Sequence, residues 1–421
     1  MNTSVLFRNQ NGVALVISLM FLAILGMLGT TAYVMTSTDL KIGRNYKAGT
    51  EAFFDAEAGV NFAQAQIESA LSAGSISLPT TVGGTTTLAY TVPSGFSFSL
   101  SPITLVADNT YSLTSTGTGP DNSQSQIVIR YTRASAIKFA AFGDQKLDTK
   151  NGGTTLSYDS GSADSTKNNP SNASFQPTHE ADVGSNDWLV THTGASIDGA
   201  GVLGEKADGS ATTNSIHGGT NFYNATPVDV GRVDPDPLGI NSVGGEYNPT
   251  TYAASNDNLT QAAPPIVANA ISTNSNVTLT GKAGGSNFYL TSVELKNGAS
   301  LTINNPAGCL TCEVNIFLTG PFDAKNGSSI ILTPNALDTT KFSIFSNSTS
   351  KIDFKHSSTT AGFVYAPYAP IDVKNSAAFY GAVWGANVDI KNSGTLYFDA
   401  ALKNKFLSND LSKVSWREVR N

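Results

Sequence analysis

The chain has 421 residues, a formal net charge of -7 and a pI of about 5.1, so it lacks the basic footprint of a nucleic-acid binder. Only 14% of its residues are charged, against about 25% in an ordinary soluble domain. The 39 glycines and abundant Ser, Thr and Asn suit short strands joined by tight turns, not a helical enzyme; the length allows two or three domains.

The first predicted element is a helix. A polar leader, Met1 to Asn11, has Arg8 as its only charged side chain and ends at Gly12. An apolar run without charge follows, from Val13 to Met35. At about 1.5 Å per residue it reaches roughly 34 Å, enough to cross a hydrocarbon core of about 30 Å. A secretory signal would have a shorter apolar core and an A-x-A-like site behind it, and no clean site of that kind follows. Polarity then rises with Asp39, Lys41, Arg44, Lys47 and Glu51, while Phe53, Ala56, Val60, Ala63, Ile67 and Ala70 keep a helical period. With no proline before Pro79, the helix is expected to run to about Ala73 and to pack this stripe on the next region.

A glycine directly before the apolar run resembles the class III signal of type IV pilins and pseudopilins. Gly12 to Leu19, Ile42 to Asn45 and Ala52 to Val60 together resemble the N-terminal region of PilX-family minor pilins, with Ala56-Glu57-Ala58-Gly59 as the sharpest element. The resemblance implies a leader at 1–12 and a prepilin peptidase cut between Gly12 and Val13, with methylation of Val13. It also implies a pilin-type helix at 13–74, transmembrane over 13–35, and Asn45, Ala56, Glu57, Ala58 and Gly59 as motif residues. Major pilins carry Glu at the fifth mature position, where this chain has Ile17; PilX-like proteins and the tip pseudopilin of type II secretion share that absence. Lys41, Arg44 and Lys47 lie after the span and only Arg8 before it, so charge counting favours the reverse orientation. The cleavage reading requires a cytoplasmic N-terminus.

Residues 75–133 read as a pilin-like antiparallel β region that covers the helix stripe. Its expected strands are Leu88 to Val92, Phe96 to Leu100, Tyr111 to Ser115 and Gln126 to Tyr131, separated by turn residues.

From Ala134 a short pattern recurs: apolar, acidic, variable, Lys, Asn, then Gly or Ser. Copies begin at Leu147, Val293, Phe322, Ile371 and Val388, with a variant at Ile352. Strand alternation points the apolar and middle residues inward and the acid and lysine outward. Asn followed by Gly or Ser tolerates a left-handed turn into the next strand. So short a unit cannot bury its own face, so the copies must stack, which predicts a right-handed β-solenoid at 134–402 and a C-terminal tail at 403–421. Residues 158–285 are looser, with Gly194 to Gly199 and Ser275 to Thr280 as further strands. This region, with Val414 to Val419, resembles the β-solenoid domain found behind PilX-type N-termini. The fold class is α+β.

Asp323, Asp353, Asp372 and Asp389 could suggest acid–base catalysis on a β-helix, but each has a lysine two residues on and follows the structural repeat. Such a ladder reads as a charge-balanced surface, and the chain is not read as an enzyme. Asp234-Pro-Asp-Pro237 reads as a rigid turn. Cys309 and Cys312 form a CxxC without a βαβ setting or further zinc ligands, which favours a local disulfide pinning a loop. No metal and no cofactor is implied. The expected function is a minor pilin-like component at or near the tip of a type IV pilus, in assembly or priming and in surface adhesion. The alternatives are a type II secretion pseudopilus tip component and a membrane-anchored carbohydrate-binding or carbohydrate-active β-helix. Implied partners are major and minor pilins, the prepilin peptidase and the inner-membrane assembly platform, with a surface or glycan ligand left open. The implied location is the bacterial inner membrane as a single-pass protein, its ectodomain periplasmic and then extracellular on the pilus.

Overall fold

The computed structural model describes residues 10–72, 75–79, 82–107, 109–216, 221–223, 227–309 and 311–419. Leader residues 1–9 lie outside the described residues. A long N-terminal helix is followed by a large strand-rich region, and the chain divides into two units, 1–134 with 408–421, and 135–407.

In the first unit, helix α1 (Gln10–Ser72) has 63 residues and is about 95 Å long. Val13 to Lys47 are exposed apart from half-buried Ser37, and the helix is long and apolar enough to span a membrane. Its upper half buries Ala48, Ala52, Ala56, Val60, Ala63 and Ile67, all 4% exposed or less. This stripe packs on a sheet built from β1 (Thr85–Thr86), β2 (Phe98–Leu100), β3 (Ile103–Ala107), β4 (Thr110–Thr118), β5 (Gln124–Ser135) and β6 (Leu407–Val419). The spatial order is β1-β3-β4-β5-β6, with β2 also on β4, and β4 and β5 pair antiparallel along nine residues each.

Two expectations need correction here. Leu88 to Val92 is not a strand: Leu88 drops into the core, and the Tyr90 hydroxyl accepts from the Leu100 amide at 2.7 Å, so the segment packs by side chains without a strand partner. The 403–421 tail instead supplies the edge strand β6, and Val414 to Val419 belong to the first unit rather than to the repeat region.

The second unit consists of three parallel ladders, and the chain passes through them in turn, repeatedly. The first ladder runs Ala270–Thr273, Ser292–Leu295, Phe322–Ala324, Ile352–Lys355, 371–374, 387–391, 146–150, Trp188–Thr191 and Thr213–Ile216. The others follow the same order through Val277–Thr280 and Ser286–Leu290. The earliest part of the unit therefore stacks on its latest part: Val388 is in register with Leu147, and Leu396 with Thr155. The chain enters in the middle of the stack, runs to one end at 229, returns to the other end at 270, and comes back to the middle.

Register explains the repeat. Val293, Phe322, Ile352, Ile371, Val388, Leu147 and Leu189 form one column, each 1% exposed or less. At each corner the Asn, replaced by His356 in the variant copy, and its successor adopt positive φ, as at Asn375 (57°) and Ser376 (61°). The amides of Ser357, Ser376 and Ser393 each donate to the carbonyl of the corner Asn in the next copy at 3.0 Å. Left-handed corners thus carry hydrogen bonds between copies.

The returning segment crosses a column of aromatic side chains in the third ladder, which includes Phe317, Phe345, Tyr365 and Trp384 in register. The Trp384 indole donates to the Pro235 carbonyl at 2.8 Å, and the Tyr365 hydroxyl donates to Asp236 at 2.7 Å. Tyr247 and Tyr252 lie over Phe345 and Phe317, with ring centroids 4.9 and 3.8 Å apart. The Asp-Pro-Asp-Pro turn is therefore a clasp on this column.

Candidate functional site

The residues singled out in the N-terminal segment fall on two surfaces of α1. Gly12 lies in its first turns; Val13 is 58% exposed and Ile17 49% exposed, both on the uncovered apolar part. Asn45 and Glu57 are exposed, Ala58 is half-buried, and Ala56 and Gly59 face the sheet. A β-carbon on Gly59 would stand 2.2 Å from the Ser115 hydroxyl and 2.8 Å from the Phe98 ring. Two residues beyond Ser115, a β-carbon on Gly117 would stand 2.1 Å from the Ala52 carbonyl oxygen. Small residues on both partners let helix and strand backbones touch. The Ser123 hydroxyl donates to the Ala48 carbonyl at 2.9 Å and the Tyr131 hydroxyl to the Val60 carbonyl at 3.1 Å, which fixes the helix along the sheet. The motif is legible as packing: its alanines and glycine make the contact, and its glutamate stays outside.

The carboxylate ladder of the second unit is a closed ionic zipper. Lys325 lies 2.9 Å from Glu294 and 3.1 Å from Asp323; Lys355 lies 3.0 Å from Asp323 and 2.8 Å from Asp353; Lys374 lies 3.1 Å from Asp353 and 2.5 Å from Asp372. Each lysine joins its own copy to the preceding one. The acids point away from the interior, as alternation requires, yet Asp148, Asp353 and Asp372 are buried, at 1%, 7% and 4% exposure. The expectation of an open outer row is corrected: the lysine stems and neighbouring copies cover the acids. Burial pushes the carboxyls of Asp148 and Asp372 up, but their lysine partners outweigh it and hold both below the usual range. These acids are ion-pair partners, not a free acid–base couple.

Sequence reasoning missed two polar clusters, because their members come from distant segments. Asp198 accepts from the Ser157 hydroxyl at 2.6 Å and meets His179 Nδ1 at 2.5 Å. The acid sits between the serine and the histidine, so the imidazole does not face the hydroxyl as a catalytic relay needs. Asp399 is buried and accepts from the amide and hydroxyl of both Ser160 and Thr339 and from the Ala401 amide. Burial pushes its carboxyl up to about 6 despite these donors. Cys309 and Cys312 are joined by a disulfide, with Cα atoms 5.4 Å apart, in the loop before Val314–Leu318. Among the described residues no three or more His, Cys, Asp or Glu side chains are grouped to hold a metal ion.

Residues 291–405 match a domain of unknown function, DUF7305, and so span five of the six motif copies. No curated protein matches the chain in sequence. Among solved structures, the competence-associated pilin ComZ from Thermus thermophilus is similar over 88% of this chain and 97% of its own, at 12% identity and a TM-score of 0.26. Residues 11–61 match the PilX N-terminal family, the stretch that holds the apolar span, Asn45 and the Ala-Glu-Ala-Gly element: in this segment the chain is similar to PilX-type pilins.

Proposed function

We propose that this protein is a minor pilin-like subunit of a type IV pilus, placed at or near the filament tip in few copies, where it primes assembly and contacts surfaces. In this reading the prepilin peptidase cuts between Gly12 and Val13 and Val13 is methylated. The helix crosses the inner membrane with its N-terminus cytoplasmic, then joins other pilins through the assembly platform. The second unit is a right-handed β-solenoid displayed outside.

The observation that carries the reading is a PilX-type helix with Ile17 at the fifth mature position in a chain that also holds a 273-residue second unit. In pilins the Glu at that position is thought to pair with the N-terminal amine of the subunit ahead. A buried carboxylate is costly without that partner. A subunit with nothing ahead of it loses nothing by carrying Ile17, and Val13 can still offer its amine to the subunit behind. So large a second unit is also hard to repeat along a packed shaft. Immunogold labelling with antibody to the second unit tests the placement: gold at filament ends is expected, and regular labelling along the shaft would refute it.

A further inference from the structure

We propose that Asn151 and Asn297 are sites of slow self-modification, at which the side-chain amide is converted to aspartate or isoaspartate. Asn326, in the same local sequence, is protected from it by the stacking of the copies.

Three motif copies end in Lys-Asn-Gly: Lys150 to Gly152, Lys296 to Gly298 and Lys325 to Gly327. The Asn and Gly of all three are exposed to water. Their backbones match closely, with φ of 50°, 50° and 55° at Asn151, Asn297 and Asn326, and of 75°, 78° and 73° at the glycines that follow. A glycine has no β-carbon to keep its nitrogen from the preceding side chain. That nitrogen can therefore attack Cγ of the asparagine. It gives up its proton, a C–N bond closes a five-membered imide, and the side-chain nitrogen takes up a proton and leaves as ammonia. Water then opens the imide at either carbonyl, which leaves aspartate or isoaspartate and one new negative charge.

One difference separates the three sites. The Gly327 amide donates to the His356 carbonyl of the next copy at 2.9 Å, whereas among the described residues the amides of Gly152 and Gly298 have no such acceptor. At Gly327 a hydrogen bond must break before the nitrogen can lose its proton and turn toward Cγ. The Asn-Ser corners carry the same protection, since the Ser376 and Ser393 amides each donate at 3.0 Å. The two reactive sites differ in consequence. Asn151 Nδ2 donates to Asn392 Oδ1 at 3.0 Å across the junction of the first and last copies, and a carboxylate there has no proton to donate. Asn297 Oδ1 accepts from Asn326 Nδ2 at 3.4 Å, a role that a carboxylate keeps. The inference uses only the second unit and does not depend on a place in a filament.

The full-length protein in detergent is held at mildly alkaline pH and physiological temperature, beside a sample unfolded in guanidinium. Both are sampled over days and digested at acid pH, which halts the reaction, and each Asn-Gly peptide is quantified by mass spectrometry against aspartyl and isoaspartyl standards. In the folded protein Asn151 and Asn297 are expected to react at least about threefold faster than Asn326. In the unfolded sample the three rates are expected to converge, because the flanking sequence is the same. An unmodified Asn151 or Asn297 in the folded protein, an Asn326 that keeps pace with them, or a difference that persists on unfolding would overturn the proposal.

Discussion

Gly59 of α1 lies so close to Ser115 of β4 that a β-carbon on the glycine would stand 2.2 Å from the serine hydroxyl. The neighbour on this side is a side chain that can turn, whereas Gly117 faces the Ala52 carbonyl oxygen at 2.1 Å, which is backbone. Gly59→Ala is therefore expected to cost the first unit about 1–3 kcal/mol, and Gly117→Ala more than about 3 kcal/mol. Gly49 has open space around it, and Gly49→Ala should stabilise the helix by about 0.5–1 kcal/mol. Thermal unfolding of the full chain in detergent checks all three.

Neighbouring positions of one motif copy should respond very differently. Ile390 is fully buried in a column between Val373 and Thr149. Ile390→Asp places a charge between stacked copies and should cost more than about 4 kcal/mol. Asp389→Asn should cost about 1 kcal/mol or less, since Asp389 is half-buried and, among the described residues, forms an ion pair with Lys391 alone. The equivalent change one copy earlier, Asp372→Asn, should cost about 3 kcal/mol, because Lys351, Lys374 and Lys391 all converge on that buried carboxylate. Denaturant midpoints of the three variants give the order.

Acid should loosen the zipper. The folded carboxyls of Asp148 and Asp372 lie below the ordinary value of 3.8. Their stabilising contribution is complete above that value and is lost as pH falls through the lower, folded values. Glu294, which Lys296 and Lys325 hold at about 2, adds to the same window. Circular dichroism is expected to show an intact second unit at pH 5 and progressive loss below about pH 4.

Asp399 should act in the opposite sense. Its folded value of about 6 lies above 3.8, so the protonated form favours the folded state, and that contribution fades as pH rises through 6. The displacement is worth about 3 kcal/mol. Stability of the second unit should therefore fall between about pH 4 and 6, and Asp399→Asn should flatten that slope. Denaturant titrations at half-unit pH steps measure it.

Local features of the fold were legible in the sequence, and distant pairings were not. The stripe from Ala56 to Ile67 and the Asn-Gly and Asn-Ser corners are set by spacing and by residues that tolerate positive φ, so single stretches reveal them. The register of Val388 with Leu147 joins segments 241 residues apart, and nothing in either hexapeptide says that the last copy stacks on the first. β6 was unreadable for the same reason: Ser412 to Glu418 are exposed, and its place depends on the free edge of β5. The clasp at Asp236 needed Tyr365, which lies 129 residues away. In the candidate site, the glycine and alanines of the Ala-Glu-Ala-Gly element were recognisable as a family motif. Their physical reason appeared only with Ser115, Phe98 and Gly117 in place opposite them.

Whether this chain is processed and assembled as a pilin is read out by mass spectrometry of its N-terminus in sheared filaments. The protein is expected to be recovered there and to begin with N-methylated Val13, the leader through Gly12 having been removed. A protein absent from filaments and found in membranes with an intact Met1, or cut beyond residue 30, would contradict the pilin reading.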